Sequence, residues 1–132
     1  MSCTVVLAGH EKFASALAKT IEFIYGSRDG LITVDMPEPF NQQVYEESLR
    51  KAVQEHEAVL ILCDLFGGSP FLTSSRILKE YPEKTELLTG VNLGMVLEVM
   101  PLLNESSLQD IKRSAKESGM NGIVDIKERM SI

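Results

Sequence analysis

Six consecutive apolar residues, Ala58–Cys63, constrain the fold of this chain more than any other feature of its sequence. A strand that is apolar on both faces is typical of the centre of a parallel sheet that is covered by helices on both sides. Shorter strand-like runs occur at Thr4–Ala8, Leu31–Val34 and Thr85–Thr89. The segments between these runs carry the apolar spacing and the end signals of helices. The pattern therefore predicts a sheet whose strands alternate with helices.

The helices can be placed from the apolar periodicity and from the residues that begin and end helices. They are predicted at Glu11–Tyr25, Gln43–His56, Pro70–Tyr81, Asn92–Leu103 and Leu108–Ser118. Ser69 is the expected N-cap of the third helix, with Pro70 at its first position. The apolar Ile123–Ile126 segment is predicted to be a last, short edge strand.

A strand–helix alternation implies parallel strands with right-handed crossovers. We therefore expect an α/β fold, a three-layer sandwich with a doubly wound sheet in the order 2-1-3-4. No linker or repeat interrupts the pattern, so residues 1–132 are expected to form a single domain.

Charge and composition exclude several classes of protein. The formal net charge is −6 and no Lys/Arg cluster occurs, which argues against a nucleic-acid partner. No signal peptide and no apolar run long enough to span a membrane is found, and Cys3 and Cys63 are interpreted as buried free thiols. We expect a cytoplasmic protein.

Because P-loop, dinucleotide-binding and zinc-ligand motifs are absent, no cofactor and no metal is expected.

Chemically useful residues follow three of the predicted strands. Gly9-His10 follows the first strand, the segment Asp64–Pro70 follows the third, and Gly90-Val91-Asn92 follows the fourth. Ligands of open α/β sheets bind beyond the carboxyl ends of the strands, where the strand order reverses. In the order 2-1-3-4 that point lies between the first and third strands, so His10 and Asp64 should face each other there.

These residue types suit phosphoryl transfer through a histidine. A carboxylate at Asp64 would accept a hydrogen bond from the protonated ring nitrogen of His10. The lone pair of the other ring nitrogen would then be free to attack phosphorus. The expected phosphoryl-binding residues are Gly9, Gly67, Gly68 and Ser69, through backbone N–H groups and the Ser69 hydroxyl. Each feature alone also has a structural interpretation: His10 as a solvated cap residue, Asp64 as an acceptor for local N–H groups, and Gly67–Pro70 as a tight turn.

Three segments together resemble the IIA component of the mannose family of the bacterial sugar phosphotransferase system. They are VVLAGHEKFASALAKTIEFIYG, LILCDLFGGSPFLTSSRIL and LLTGVNLGMVLEVM. The resemblance implies an α/β sandwich with a parallel four-stranded sheet. It also implies a homodimer in which the C-terminal strand, here Ile123–Ile126, is exchanged between subunits.

The same resemblance implies the reaction and the partners. His10 would accept a phosphoryl group from the phosphocarrier protein HPr and pass it to a IIB component, while the membrane components IIC and IID import the sugar. Asp64 would hold the histidine and Ser69 would contact the phosphoryl group. Since the chain ends after the IIA unit, IIB is expected to be a separate protein. The chain departs from the family at Glu11 and Gly94, where the family often has glycine and proline.

Two other functions fit parts of the sequence. A response-receiver domain would use Asp64 as its phosphoryl acceptor, but receivers also need acidic residues after the first strand, where this chain has Gly9-His10. A small-molecule or regulatory module would use the glycine-rich turns to bind a phosphorylated ligand without turnover.

Overall fold

A computed structural model describes residues 2–132. Its strands are β1 (Cys3–Ala8), β2 (Leu31–Val34), β3 (Ala58–Cys63) and β4 (Thr85–Leu88). Its α-helices are α1 (Phe13–Tyr25), α2 (Gln42–Gln54), α3 (Gly68–Glu80), α4 (Leu93–Val99), α5 (Leu108–Asn121) and α6 (Ile126–Arg129). None of the helices in this part of the chain combines the length and the apolar character needed to cross a membrane.

The four strands form one parallel sheet in the order β2-β1-β3-β4. The prediction of the fold class and of this strand order is confirmed. The order reverses between β1 and β3, whose last residues Ala8 and Cys63 are partners in the register. The chain segments that leave these two strands therefore start side by side at the carboxyl edge of the sheet.

Alternate strand residues supply the cores on the two faces of the sheet, as the period of two along a strand requires. On one face, α1, α4 and α5 cover Val5, Leu7, Leu60 and Leu62. On the other face, α2 and α3 cover Val6, Ala8, Val59, Ile61 and Cys63. Because both faces are covered, the architecture is the expected three-layer sandwich. Cys3 and Cys63 are buried free thiols, as expected.

The prediction of a strand at Ile123–Ile126 is wrong for the fold of the single chain. Residues 123–125 have no regular structure, and α6 begins at Ile126. The Asp125 side chain caps this helix by accepting a hydrogen bond from the Glu128 N–H at 3.1 Å. A β-branched segment becomes a strand only where a neighbouring strand can bond to it, and the sheet within residues 2–132 ends at β4 on this side.

Candidate active site

His10 and Asp64 meet at the carboxyl edge of the sheet, where β1 and β3 end. The imidazole Nδ1 lies 2.7 Å from Asp64 Oδ2. The backbone N–H of His10 donates to the same carboxylate oxygen at 2.9 Å. The register of β1 and β3 thus brings together the two residues that the sequence placed at neighbouring strand ends.

The contact between the ring and the carboxylate determines which ring nitrogen carries the proton. An ionised carboxylate only accepts hydrogen bonds, so the proton in the 2.7 Å contact belongs to Nδ1 of His10. The second oxygen, Asp64 Oδ1, is held by the Leu65 N–H at 2.9 Å. The Asp64 side chain is 9% exposed and the His10 side chain 38% exposed. In the uncharged form of the ring the lone pair is therefore on Nε2, and the side chain that carries it is partly exposed to solvent.

The beginning of α3 lies against the Nε2 edge of the His10 ring. A Cβ on Gly68 would lie 2.9 Å from both Cε1 and Nε2, so only glycine allows the backbone to come this close. The N–H groups of the first turn of a helix have no acceptor within the helix, and they favour an anion at that position. Gly68 and Ser69, which the sequence predicts to bind the phosphoryl group, are the first two residues of this helix.

The prediction that Ser69 is the N-cap of α3 is wrong. Gly67, and not Ser69, is the N-cap of α3, and Ser69 and Pro70 are its second and third residues. The backbone needs positive φ angles here, 135° at Gly67 and 79° at Gly68, which residues with a side chain rarely adopt. Ser69 is partly buried, and its hydroxyl forms no hydrogen bond with another residue in the range 2–132.

Two further strand-end residues have structural tasks. Gly9 is buried, and a Cβ there would lie 3.1 Å from Phe13 Cδ1 and 3.4 Å from Asp64 Oδ2. The Asn92 side chain accepts from the Met95 N–H at 3.0 Å and donates to the Gly119 carbonyl at 3.0 Å. Gly9 therefore makes room behind the His10–Asp64 pair, and Asn92 joins the start of α4 to α5.

Beneath the pair, two buried groups that no sequence motif marks as part of the site stay neutral. Burial raises the pKa of the Cys63 thiol to about 11, and its Sγ lies 3.3 Å from Ser74 Oγ. Burial also raises the pKa of Tyr45, and the negative charges of the Asp64 and Asp35 carboxylates raise it further. Neither group is an anionic nucleophile at neutral pH.

Comparison with known proteins identifies the family. A family model described as the PTS system fructose IIA component (EIIA-man) matches residues 4–116. The chain belongs to this family. The resemblance to mannose-family IIA components of the phosphotransferase system is thereby confirmed.

Individual relatives of this IIA component agree with the assignment. It is 32% identical over 121 residues to the fructose-specific EIIA component of Bacillus subtilis. The alignment covers 86% of this chain and 79% of the relative. It is 30% identical over 134 aligned positions to the mannose-specific EIIAB component of Escherichia coli K12, covering 98% of this chain but only 41% of that longer protein. The crystal structure of EIIA from Streptococcus agalactiae superposes with a TM-score of 0.89, at 25% identity and with 96% and 98% of the two chains covered.

Gly68→Ala should disturb the ring of this IIA component more than the fold. The new Cβ would lie 2.9 Å from His10 Nε2 and Cε1, so we expect the ring to shift and the phosphorylation predicted for His10 to slow by about 100-fold. Gly26→Ala is the matched control, since Gly26 also has a positive φ of 92°, but a Cβ added there would meet no atom within 4 Å. Equal rates for the two variants would show that the close approach at Gly68 has no role.

Proposed function

We propose that this IIA component is a cytoplasmic phosphohistidine carrier that accepts a phosphoryl group from HPr on His10 and passes it to a IIB component. The observation that carries the proposal is the 2.7 Å contact between His10 Nδ1 and Asp64 Oδ2, which leaves Nε2 as the nucleophile. The position of Nε2 beside Gly68, at the start of α3, supports the same assignment.

In the proposed step the His10 Nε2 lone pair attacks the phosphorus of phospho-HPr. A new N–P bond forms, the N–P bond to the HPr histidine breaks, and the HPr ring keeps the bonding electron pair. The Nδ1 proton of His10 stays in the hydrogen bond to Asp64, so the transfer needs no separate base. Transfer to IIB is the same exchange, with the phosphohistidine of this chain as the donor.

The surrounding groups would stabilise the charges that this exchange creates. Phosphorylation at Nε2 leaves the imidazole positively charged, and the adjacent Asp64 carboxylate stabilises that charge. The phosphoryl oxygens would lie at the first turn of α3, where the N–H groups of Gly68 and Ser69 and the Ser69 hydroxyl can donate hydrogen bonds. The positive φ angles of Gly67 and Gly68 keep this turn open toward the ring.

An apolar rim suits the docking of HPr and IIB. We define it as Phe13, Leu65 and Leu72, which are 42%, 48% and 55% exposed. The Phe13 N–H donates to the His10 carbonyl at 3.0 Å, Leu65 follows Asp64, and Leu72 lies on α3. Exposed apolar side chains around a reactive group mark a protein-binding surface. IIC and IID would be reached only through IIB.

The carrier role can be tested with phosphoenolpyruvate, enzyme I and HPr. We expect an acid-labile, base-stable adduct on His10, and ³¹P–¹⁵N NMR should place the phosphorus on Nε2. No label on the wild-type protein would contradict the carrier role. Label on Nδ1 would contradict the orienting role of Asp64, and a hydroxylamine-sensitive acyl phosphate on Asp64 would instead indicate a receiver domain.

The C-terminal segment supports a homodimer. All residues from 123 to 132 are exposed, among them the large apolar side chains of Ile123, Val124, Ile126, Met130 and Ile132. A groove of about 560 Å³ lies beside the edge strand β4 and is lined by Phe66, Phe71, Leu78, Leu88, Met95 and Met120, among others. We assign this groove to the C-terminal segment of a second copy, because exchange would bury both apolar surfaces.

Oligomeric state tests this assignment. We expect the wild-type protein to elute with twice the chain mass of 14.6 kDa in light-scattering measurements, and Ile126→Asp to elute as a monomer. Lys127→Asp, at the neighbouring exposed position, also adds negative charge but removes no apolar group and should stay dimeric. A wild-type monomer at micromolar concentration would contradict the proposal.

A further inference from the structure

Glu11, the residue after His10, adopts an unusual backbone conformation. Its φ is 51°, in the left-handed region where a residue with a side chain is disfavoured. Within residues 2–132, Ser131 is the only other residue besides glycines with a positive φ. Such outliers concentrate at functional sites, where the surrounding structure holds them in place.

Two reciprocal hydrogen bonds hold Glu11 in this conformation. The Glu11 N–H donates to the Met36 carbonyl at 3.0 Å, and the Met36 N–H donates to the Glu11 carbonyl at 3.1 Å. The residue before Met36 is also anchored, because Asp35 Oδ1 accepts from the Ser15 N–H of α1 at 3.0 Å. The side chain of Glu11 therefore starts from a fixed point, one peptide unit from the phosphoryl acceptor.

The Glu11 carboxylate is exposed and uncompensated. It forms no hydrogen bond or salt bridge with any residue in the described range 2–132, and this includes its neighbour Lys12. The other two carboxylates nearby are already engaged, Asp35 by the Ser15 N–H and Asp64 by His10 and Leu65. Glu11 thus adds an unpaired negative charge on the residue that directly follows the one that would carry a phosphoryl group.

We propose that Glu11 sets the phosphoryl-transfer potential of His10. This inference rests on the proposed carrier function. A phosphoryl group on Nε2 carries between one and two negative charges at neutral pH, and the neighbouring carboxylate repels it. The repulsion destabilises the phosphorylated form relative to the free form. Glu11 therefore lowers the fraction of this chain that is phosphorylated at equilibrium with HPr and favours onward transfer to IIB.

The exchange equilibrium with HPr measures this effect directly. Radiolabelled phospho-HPr is mixed with this protein in the absence of IIB, and the distribution of label gives the equilibrium constant. We expect Glu11→Gln to raise that constant about three- to tenfold at about 0.01 M salt, where charges act over roughly 30 Å. At about 1 M salt the wild type and the variant should converge, because screening then shortens the range to roughly 3 Å.

Two control variants separate charge from backbone. Glu22→Gln removes the same charge from the last turn of α1, about three helical turns or roughly 16 Å along the helix, and should raise the constant by a much smaller factor than Glu11→Gln. Glu11→Gly removes the charge and the strained φ, so it should raise the constant like Glu11→Gln and also raise the melting temperature, which Glu11→Gln should not.

The outcomes distinguish this inference from the carrier role. A labelled wild type whose constant equals that of Glu11→Gln at low salt overturns the inference alone, as does a difference that salt does not reduce. A wild type that takes no label overturns the carrier role and the inference together.

Discussion

Replacing His10 with alanine should abolish labelling by phospho-HPr while the protein stays folded. The substitution removes the imidazole, whose Nδ1 lies 2.7 Å from Asp64 Oδ2 and whose Nε2 lies beside Gly68 at the start of α3. The side chain is 38% exposed, so we expect the free energy of unfolding to change by no more than about 1 kcal/mol. Labelling after incubation with phosphoenolpyruvate, enzyme I and HPr measures the first effect, and thermal denaturation followed by circular dichroism measures the second.

His56→Ala is the matched control, since the chain has two histidines. His56 follows the last turn of α2, at the opposite edge of the sheet, and its Nδ1 lies 2.7 Å from the Ala52 carbonyl. This variant should be labelled at the wild-type rate. Undiminished labelling of His10→Ala, or loss of labelling in His56→Ala, would contradict the assignment of the acceptor.

Asp64→Asn should slow phosphorylation by about 10²- to 10⁴-fold, the range expected when an orienting carboxylate is lost. Both carboxylate oxygens accept hydrogen bonds: Oδ2 from the His10 N–H and Nδ1 at 2.9 and 2.7 Å, and Oδ1 from the Leu65 N–H at 2.9 Å. An amide must turn an N–H₂ group toward one of these two sets of donors. Directed at His10, it would favour the tautomer whose proton is on Nε2, and the nucleophile would be lost.

The measurement is the single-turnover rate with phospho-HPr, together with the ¹⁵N shifts of the His10 ring. Asp35→Asn is the control, because Asp35 follows β2 at the same edge and accepts a backbone N–H, yet forms no hydrogen bond to His10 in the described chain. A wild-type rate for Asp64→Asn, with an unchanged ring tautomer, would rule out the orienting role.

The sequence predicted the strands well because their signal is local. Ala58–Cys63 and Leu31–Val34 agree with β3 and β2 residue for residue, since a run of apolar and β-branched residues between polar turns has few other conformations. The predicted starts of α4 and α5 also agree with the structure, where the side chains of Asn92 and Ser107 each accept a hydrogen bond from the N–H three residues later. These features depend on residues within one turn or one strand.

The errors arose where the conformation of a segment depends on residues elsewhere in the chain. Ile123–Ile126 has the composition of a strand, yet no strand edge within the described chain receives it, and Asp125 starts a helical turn instead. Serine is a residue type that is common at N-caps, so Ser69 was predicted to cap α3. The close approach of α3 to His10 requires positive φ angles instead, and Gly67 and Gly68 therefore form the turn.

For this protein, the sequence by itself determined the α/β class, the order of the elements and the strand ends at which His10 and Asp64 lie. Apolar periodicity and turn chemistry are short-range properties, and they were sufficient for these conclusions. Only the tertiary structure decided that Nδ1 faces Asp64, that Gly68 touches the Nε2 edge and that Glu11 is held by Met36. Each of these contacts joins residues that are distant in the chain, and their distances depend on the register of the sheet and the packing of α3, which no local pattern specifies.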